Sequence, residues 1–149
     1  MRPETERKVM AWIPAIVYVA LIFAVSSIPG SIHGRIPFRL FDKAAHLGEF
    51  AGLGLFLMLA FRGTLPKADL RHILMLVLIV GLAIGVLDEL YQNLIPGRAV
   101  EFLDWVADTI GVAVGSTIAM IHYKRRERID PATVRRSKLR GRNRRVKKR

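Results

Sequence analysis

Residues 9–28 read VMAWIPAIVYVALIFAVSSI, a run of twenty positions without a charged side chain. About 20 apolar residues in a helix cross the roughly 30 Å hydrocarbon core of a bilayer, because a helix satisfies its own backbone polar groups. Pro14 lies early in the run, where a helix tolerates proline best. This stretch therefore predicts a transmembrane helix and assigns the chain to the membrane proteins.

Three further apolar stretches follow. Residues 44–61 contain only His46 and Glu49 as interruptions, residues 73–87 are uncharged up to Asp88, and residues 105–121 contain one charge, Asp108. We expect an all-α, polytopic membrane protein with four transmembrane helices in a bundle, at about residues 9–28, 44–61, 72–95 and 103–122. Residues 1–123 are far too apolar for a soluble domain of this size, whose surface would have to be mostly polar, and this excludes a water-soluble enzyme.

The first apolar run has one alternative interpretation, a cleaved signal peptide. Arg7 and Lys8 precede it, and Ala24-Val25-Ser26 resembles a cleavage site. The run is longer than the usual 7 to 15 apolar residues of such peptides, which favours an anchored helix. The chain has no cysteine, which excludes disulfides, thiolate zinc sites and thiol nucleophiles.

The excess positive charge is confined to the end of the chain. Of 24 Lys and Arg residues, 14 lie from Lys124 onward with two of the 12 acidic residues, so residues 1–123 carry ten of each sign. We expect residues 1–123 to form the membrane domain and residues 124–149 to form a disordered, polybasic cytoplasmic tail. Such a tail can set orientation or bind anionic lipid or RNA nonspecifically, and we expect no specific nucleic acid partner.

Basic residues in the connecting segments also predict orientation. With the N-terminus inside, twenty of the 24 basic residues lie in inner segments and four (Arg35, Arg39, Lys43 and Arg98) lie in outer loops. Basic residues accumulate on the cytoplasmic side of membrane proteins. We therefore expect a multi-pass protein of the inner membrane with both termini in the cytoplasm.

This topology places nearly all polar residues near the spans on the extracytoplasmic side. Helical spacing also puts glycines below them on the same faces, with Gly81 and Gly85 on the third helix and Gly111 and Gly115 on the fourth. Small residues at these positions let membrane helices approach closely, so the charged faces should meet inside the bundle. The residues expected there are Asp42, Lys43, His46, Glu49, Asp88, Glu89, Gln92, Arg98, Glu101, Asp104 and Asp108.

Two blocks of sequence resemble a known family. Asp42-Lys43-Ala44-Ala45-His46 is similar to the D-K-x-x-H opening of the VanZ-like family of small bacterial membrane proteins. Glu89 to Gln92, then Pro96-Gly97-Arg98, and Asp104 with Asp108, Gly111 and Gly115 resemble its E-x-x-Q, P-x-R and D-x-x-x-N-x-x-G elements. Asp108 stands where that pattern often has asparagine, which adds a negative charge.

The resemblance implies an integral membrane protein of the cell envelope. The family takes its name from a protein associated with resistance to the glycopeptide antibiotic teicoplanin. The family pattern covers these residues of this chain: Asp42, Lys43, His46, Glu89, Gln92, Arg98, Asp104, Gly111 and Gly115.

The residue types indicate an outward-facing pocket for an anionic envelope component, with membrane lipids as the expected partners. Lys43 and Arg98 supply cations for a phosphate or carboxylate. His46 and Glu89 are the candidate catalytic acid-base residues. The remaining candidate ligand-binding residues are Asp42, Asp88, Gln92, Asp104 and Asp108. The last three would orient the two cations and the two acid-base residues.

A metal site is a competing interpretation that we do not adopt from sequence, and we assign no cofactor. It would use Mg²⁺, Mn²⁺ or Ca²⁺ with these residues: Asp42, His46, Glu49, Asp88, Glu89 and Asp108.

Two other classes of function remain open. One is a small proton-coupled transporter, which the absence of charge at the middle of the helices disfavours. The other is a scaffold without a catalytic site, in which Lys43 and Arg98 form a structural ion network with the carboxylates.

Overall fold

The computed structural model describes residues 3–29 and 39–129, with side chains described for 3–29 and 42–126. This part of the chain is helical and contains no strand. The helices are α1 (Glu4–Ser26), α2 (Arg39–Thr64), α3 (Leu70–Gln92) and α4 (Phe102–Ile129). Each is long and apolar enough to cross a membrane, which confirms the predicted all-α fold with four transmembrane helices.

The helices extend beyond the apolar spans at several ends. α1 begins directly after Pro3, and Glu4 and Glu6 in its first turn complement the positive end of the helix dipole. α4 continues to Ile129, past the predicted domain boundary at residue 123, because Lys, Arg and Glu are good helix formers. The rest of the predicted tail, residues 130–149, lies outside the described residues.

α3 begins two residues earlier, and ends three residues earlier, than the range of about 72–95 expected from hydropathy. α3 ends at Gln92, and the backbone N–H groups of Leu94 and Ile95 bond to the carbonyls of Tyr91 and Gln92 in tight turns. Apolar character continues through Leu94 and Ile95, which is why hydropathy alone misplaced the end. The Pro96-Gly97 pair that follows cannot continue a helix.

Contacts between helix ends define the direction of each helix. Trp12 near the start of α1 donates a hydrogen bond to Thr64 at the end of α2, so these helices are antiparallel. Ser27 just after α1 bonds Tyr91 near the end of α3, and His46 near the start of α2 bonds Asp108 near the start of α4. The chain therefore runs up, down, up and down.

α2 and α4 approach each other at backbone distance. A Cβ built on Gly111 would lie 2.5 Å from the Leu47 carbonyl oxygen, and one on Gly115 would overlap the Ala51 carbonyl. Any larger residue at these positions would separate the two helices. The predicted glycine face of α4 is thus a helix contact, and it brings the first turns of α2 and α4 together.

The distribution of polarity is the reverse of that in a soluble bundle. Ile16 and Ile79 expose 62% and 64% of their surface, whereas Asp88 and Asp108 each expose 1%. Apolar side chains facing outward suit a lipid environment, in which charged groups turn to the interior. All of these residues belong to one compact unit, which ends at Ala119 within α4.

Candidate functional site

Buried polar side chains gather at one end of the helices. We call this the polar end: the last turns of α1 and α3 and the first turns of α2 and α4. Ser116 is the one buried polar side chain found deeper among residues 3–29 and 42–126, and its hydroxyl donates to the Val112 carbonyl of its own helix. The buried polar residues of the polar end are Ser26, His46, Asp88, Glu89, Gln92, Asp104 and Asp108.

His46 and Asp108 form the central contact between α2 and α4. His46 Nδ1 lies 2.9 Å from Asp108 Oδ1, and both side chains are almost fully buried. Asp108 Oδ2 has no hydrogen-bond partner. A carboxylate on one ring nitrogen fixes the orientation of an imidazole, and the contact becomes an ion pair when His46 is protonated.

Asp88 is oriented by the next turn of its own helix. The Gln92 side-chain amide donates a hydrogen bond of 2.8 Å to Asp88 Oδ2, and it also reaches Ser26 Oγ on α1 at 3.4 Å. Asp88 Oδ1 is buried and has no partner. Gln92 therefore fixes the carboxylate without neutralising it.

Glu89 is held by the connection between α3 and α4. The backbone N–H of Glu101 donates to Glu89 Oε2 at 3.0 Å, while Glu89 Oε1 is buried without a partner. The Glu101 side chain also accepts a hydrogen bond of 2.6 Å from Lys43 Nζ. Lys43 pairs with Asp104 as well, so its charge is already neutralised by two carboxylates of the protein.

Arg98 is presented by a tight turn. Its backbone N–H bonds the Ile95 carbonyl at 3.1 Å, and Gly97 has a φ of 78°, as a type II turn with Pro96 and Gly97 at its centre requires. Glycine is favoured there because other residues rarely adopt this conformation. Arg98 is half-buried, and its Nε–H is buried without a hydrogen-bond partner.

Four of these side chains form what we call the buried cluster: His46, Asp88, Glu89 and Asp108. One ligand-type atom from each lies within 4.8 Å of the others, and all four residues are buried. Asp42, His46 and Asp104 form a second group of the same kind, nearer the helix ends. Residues distant in sequence on α2, α3 and α4 thus meet at a single place.

The predicted site residues have different positions in this arrangement. His46, Glu89, Asp88 and Asp108 lie together in the buried cluster, Gln92 orients one of them, and Asp42 joins the second group. Glu49 of the competing metal set is half-buried and outside both groups, although it lies in electrostatic range of Arg98. The acid-base and ligand-binding roles of all these residues remain predictions.

Two residues of the site had no predicted role. Glu101 positions both Lys43 and Glu89, and Trp105 is half-buried beside Gly85 with its indole N–H buried and unpaired. Glu101 precedes α4, and the turn that brings it back over α3 has no sequence signature beyond Pro96-Gly97. Trp105 looked like an ordinary apolar residue, because only packing shows where its N–H points.

Fold and site together define a multi-pass α-helical membrane protein whose buried charges gather at one end. The VanZ/LLP1 family model matches residues 3–123, so the chain belongs to this family and the resemblance seen in the two motif blocks is confirmed. Comparison with curated proteins and with solved structures found no significant match.

Proposed function

We propose that this VanZ/LLP1 family membrane protein recognises the anionic head group of a cell-envelope lipid at the polar end. In the orientation predicted from the basic residues, this end faces the outside of the inner membrane. A lipid carrying phosphate or pyrophosphate would place that group level with the helix ends while its chains remain in the bilayer. Membrane lipids are thus the proposed partners.

The observation that carries this proposal is the buried Nε–H group of Arg98, which has no hydrogen-bond partner. A buried guanidinium N–H without a partner destabilises the protein, because it has lost its hydrogen bonds to water and forms no hydrogen bond in their place. The guanidinium can hold a phosphate by two parallel hydrogen bonds. A lipid phosphate above the turn would satisfy this group.

Lys43 has a different role in this proposal. Its two carboxylate partners are Glu101, just before α4, and Asp104, in the first turn of α4. Lys43 therefore fixes the α3–α4 connection on α2, and with it the turn that presents Arg98. We infer that Lys43 positions the anion site rather than contributing a free charge to it.

His46 and Glu89 are the groups of the site best suited to proton transfer. His46 is oriented by Asp108 in the manner of a general base, and Glu89 keeps one carboxylate oxygen without a partner. Ser26 and Ser27 are not arranged as nucleophiles: Ser26 Oγ accepts from Gln92, and Ser27 Oγ bonds Phe23 and Tyr91. Acid-base chemistry on the bound head group is the reaction class that fits these residues.

Mass spectrometry of copurified lipid tests the proposal. Wild-type protein should retain an anionic phospholipid species that Arg98→Ala loses by about tenfold or more, because a bidentate contact to phosphate is removed. Arg98→Lys should retain it only partly, since lysine keeps the charge but not the fork geometry. Arg71→Ala, which removes an exposed arginine at the opposite end of α3, is the matched control.

Equal lipid content in wild type, Arg98→Ala and Arg71→Ala would contradict the proposal and favour a scaffold. An effect on glycopeptide susceptibility would follow from head-group binding through altered envelope composition. Cells producing Arg98→Ala should then show the same susceptibility as cells lacking the protein, while Arg71→Ala should behave as wild type.

A further inference from the structure

The buried cluster has more negative charge than its own contacts can neutralise. His46, Asp88, Glu89 and Asp108 each expose 5% of their surface or less. Among residues 3–29 and 42–126, Lys43 is engaged with Glu101 and Asp104, and the carboxyl groups of the cluster receive hydrogen bonds from Gln92, the Glu101 backbone and His46, of which His46 is a cation only when protonated. Carboxylates packed this closely away from water require protons or a bound cation.

The three carboxyl groups share one pattern of contacts. In each, one oxygen is held by the protein while the other is buried and unpaired: Asp88 Oδ1, Glu89 Oε1 and Asp108 Oδ2. Buried oxygens without partners are rare in proteins, and a bound ion is one of the arrangements that satisfies them. Metal ligands typically show this division, because neighbouring residues orient the carboxylate whose second oxygen binds the metal.

We propose that His46, Asp88, Glu89 and Asp108 bind one divalent cation. One ligand-type atom from each already lies within 4.8 Å of the others, so a single ion among them requires only small side-chain movements. Three carboxylate oxygens and one imidazole nitrogen suit an ion that accepts hard oxygen ligands together with histidine, and Mn²⁺ meets both conditions. Among the described residues, His46 is the one group in contact with these carboxyl groups that can carry a positive charge, and it reaches Asp108; a divalent ion would supply the remaining charge.

This site differs from the ion network considered as the scaffold interpretation. In that network Lys43 would neutralise the cluster, whereas it is engaged with Glu101 and Asp104 instead. The cation proposal also does not depend on lipid binding by Arg98, which is outside the buried cluster. Head-group binding at Arg98 and cation binding can therefore fail separately, whereas a bound cation would occupy His46 and Glu89 and so exclude the acid-base role proposed for them.

Mn²⁺ binding to the purified full-length protein tests the inference. The protein is treated with EDTA, placed in nanodiscs of phosphatidylcholine to avoid anionic lipid, and titrated with Mn²⁺ while the signal of free Mn²⁺ is followed by electron paramagnetic resonance. We expect one saturable site. Asp88→Asn and Asp108→Asn should each weaken it by about tenfold or more, because each removes a charged ligand.

Glu6→Gln is the matched control, since it removes an exposed carboxylate in the first turn of α1 and should leave Mn²⁺ affinity unchanged. Absence of a saturable Mn²⁺ site in the wild-type protein would overturn the inference and leave protons as the neutralising species. Equal affinity in wild type, Asp88→Asn and Asp108→Asn would overturn it as well.

A second measurement uses the wild-type protein and therefore tests the site even if the variants do not fold. Mn²⁺ should raise the thermal unfolding temperature of the wild-type protein, and EDTA should reverse the rise, because a ligand of the native state stabilises it. No change in unfolding temperature at saturating Mn²⁺ would count against the site. Arg98→Ala should bind Mn²⁺ like wild type, so that loss of lipid with retention of Mn²⁺ separates this site from the head-group site.

Discussion

Lys43 shows how one residue can connect three segments of the chain. It lies on α2, and its ammonium group contacts Glu101 in the α3–α4 connection and Asp104 on α4. Asp104 is buried, with only 5% of its side chain exposed, so the pair is shielded from water on that side. Removal of one member of a buried ion pair leaves the other charge uncompensated, which is far more costly than loss of an exposed pair.

We expect Lys43→Met to destabilise the protein by about 3 kcal/mol, since the Asp104 carboxylate would remain buried without its cation. Lys8→Met is the control, because it breaks an exposed pair between Lys8 and Glu4 on α1. In detergent, the thermal unfolding temperature of Lys43→Met should be clearly lower than that of the wild type, whereas that of Lys8→Met should not change measurably. Similar unfolding temperatures for both would mean that Asp104 does not depend on Lys43.

The contact between α2 and α4 determines the geometry of the site at the level of helices. Gly111 and Gly115 place the α4 backbone against Leu47 and Ala51, and one turn higher His46 meets Asp108. A helix rises about 1.5 Å per residue, so the His46–Asp108 pair lies close to the glycines along the helix axis. If α2 and α4 moved apart at the glycines, His46 and Asp108 would therefore move apart as well. The glycines and the buried cluster form one structural unit for this reason.

Gly115→Ala should lower stability by about 1–3 kcal/mol, because the new methyl group overlaps the Ala51 carbonyl and the helices must separate. Gly48→Ala is the matched control, since a Cβ at this exposed position of α2 meets no atom within 4 Å. The thermal unfolding temperature of Gly115→Ala should be lower than that of the wild type. The unfolding temperature of Gly48→Ala should equal or exceed the wild-type value, because alanine favours helix. An unchanged value for Gly115→Ala would contradict the close approach.

The whole molecule is arranged as a membrane protein with a polar interior at one end. Its lipid-facing surface is apolar, and the deeper core contains Leu57, Met58, Ile73 and Val77. Buried charges along residues 3–29 and 42–126 are confined to the polar end. An alternating-access transporter usually places an ionisable group near the middle of the membrane, so this distribution favours binding at one surface.

Reporter fusions test the orientation on which the proposed function depends. We expect a fluorescent-protein fusion after Arg149 to be active and an alkaline phosphatase fusion there to be inactive, because basic segments remain in the cytoplasm. Alkaline phosphatase inserted after Leu94, in the α3–α4 connection, should be active. The opposite pattern would place the polar end in the cytoplasm and remove an outer-leaflet lipid as its ligand.

Much of the fold could be predicted from local sequence. Uncharged runs such as residues 9–28 indicate helices of membrane-spanning length, because about 20 apolar residues in a helix cross the bilayer with their backbone groups satisfied. The end of α3 was misplaced because Leu94 and Ile95 are apolar but belong to turns. Hydropathy measures partition into the membrane, whereas helix ends depend on backbone hydrogen bonds.

The sequence alone determined the class of protein, the family motifs and the placement of His46, Asp88 and Asp108 on faces expected to turn inward. Only the tertiary structure decided that the four residues of the buried cluster meet and that Lys43 forms ion pairs with Glu101 and Asp104. It also decided that Arg98 has a buried N–H without a partner. The reason is that helical periodicity specifies which face a residue occupies, while the partner across the interface depends on how closely separate helices pack.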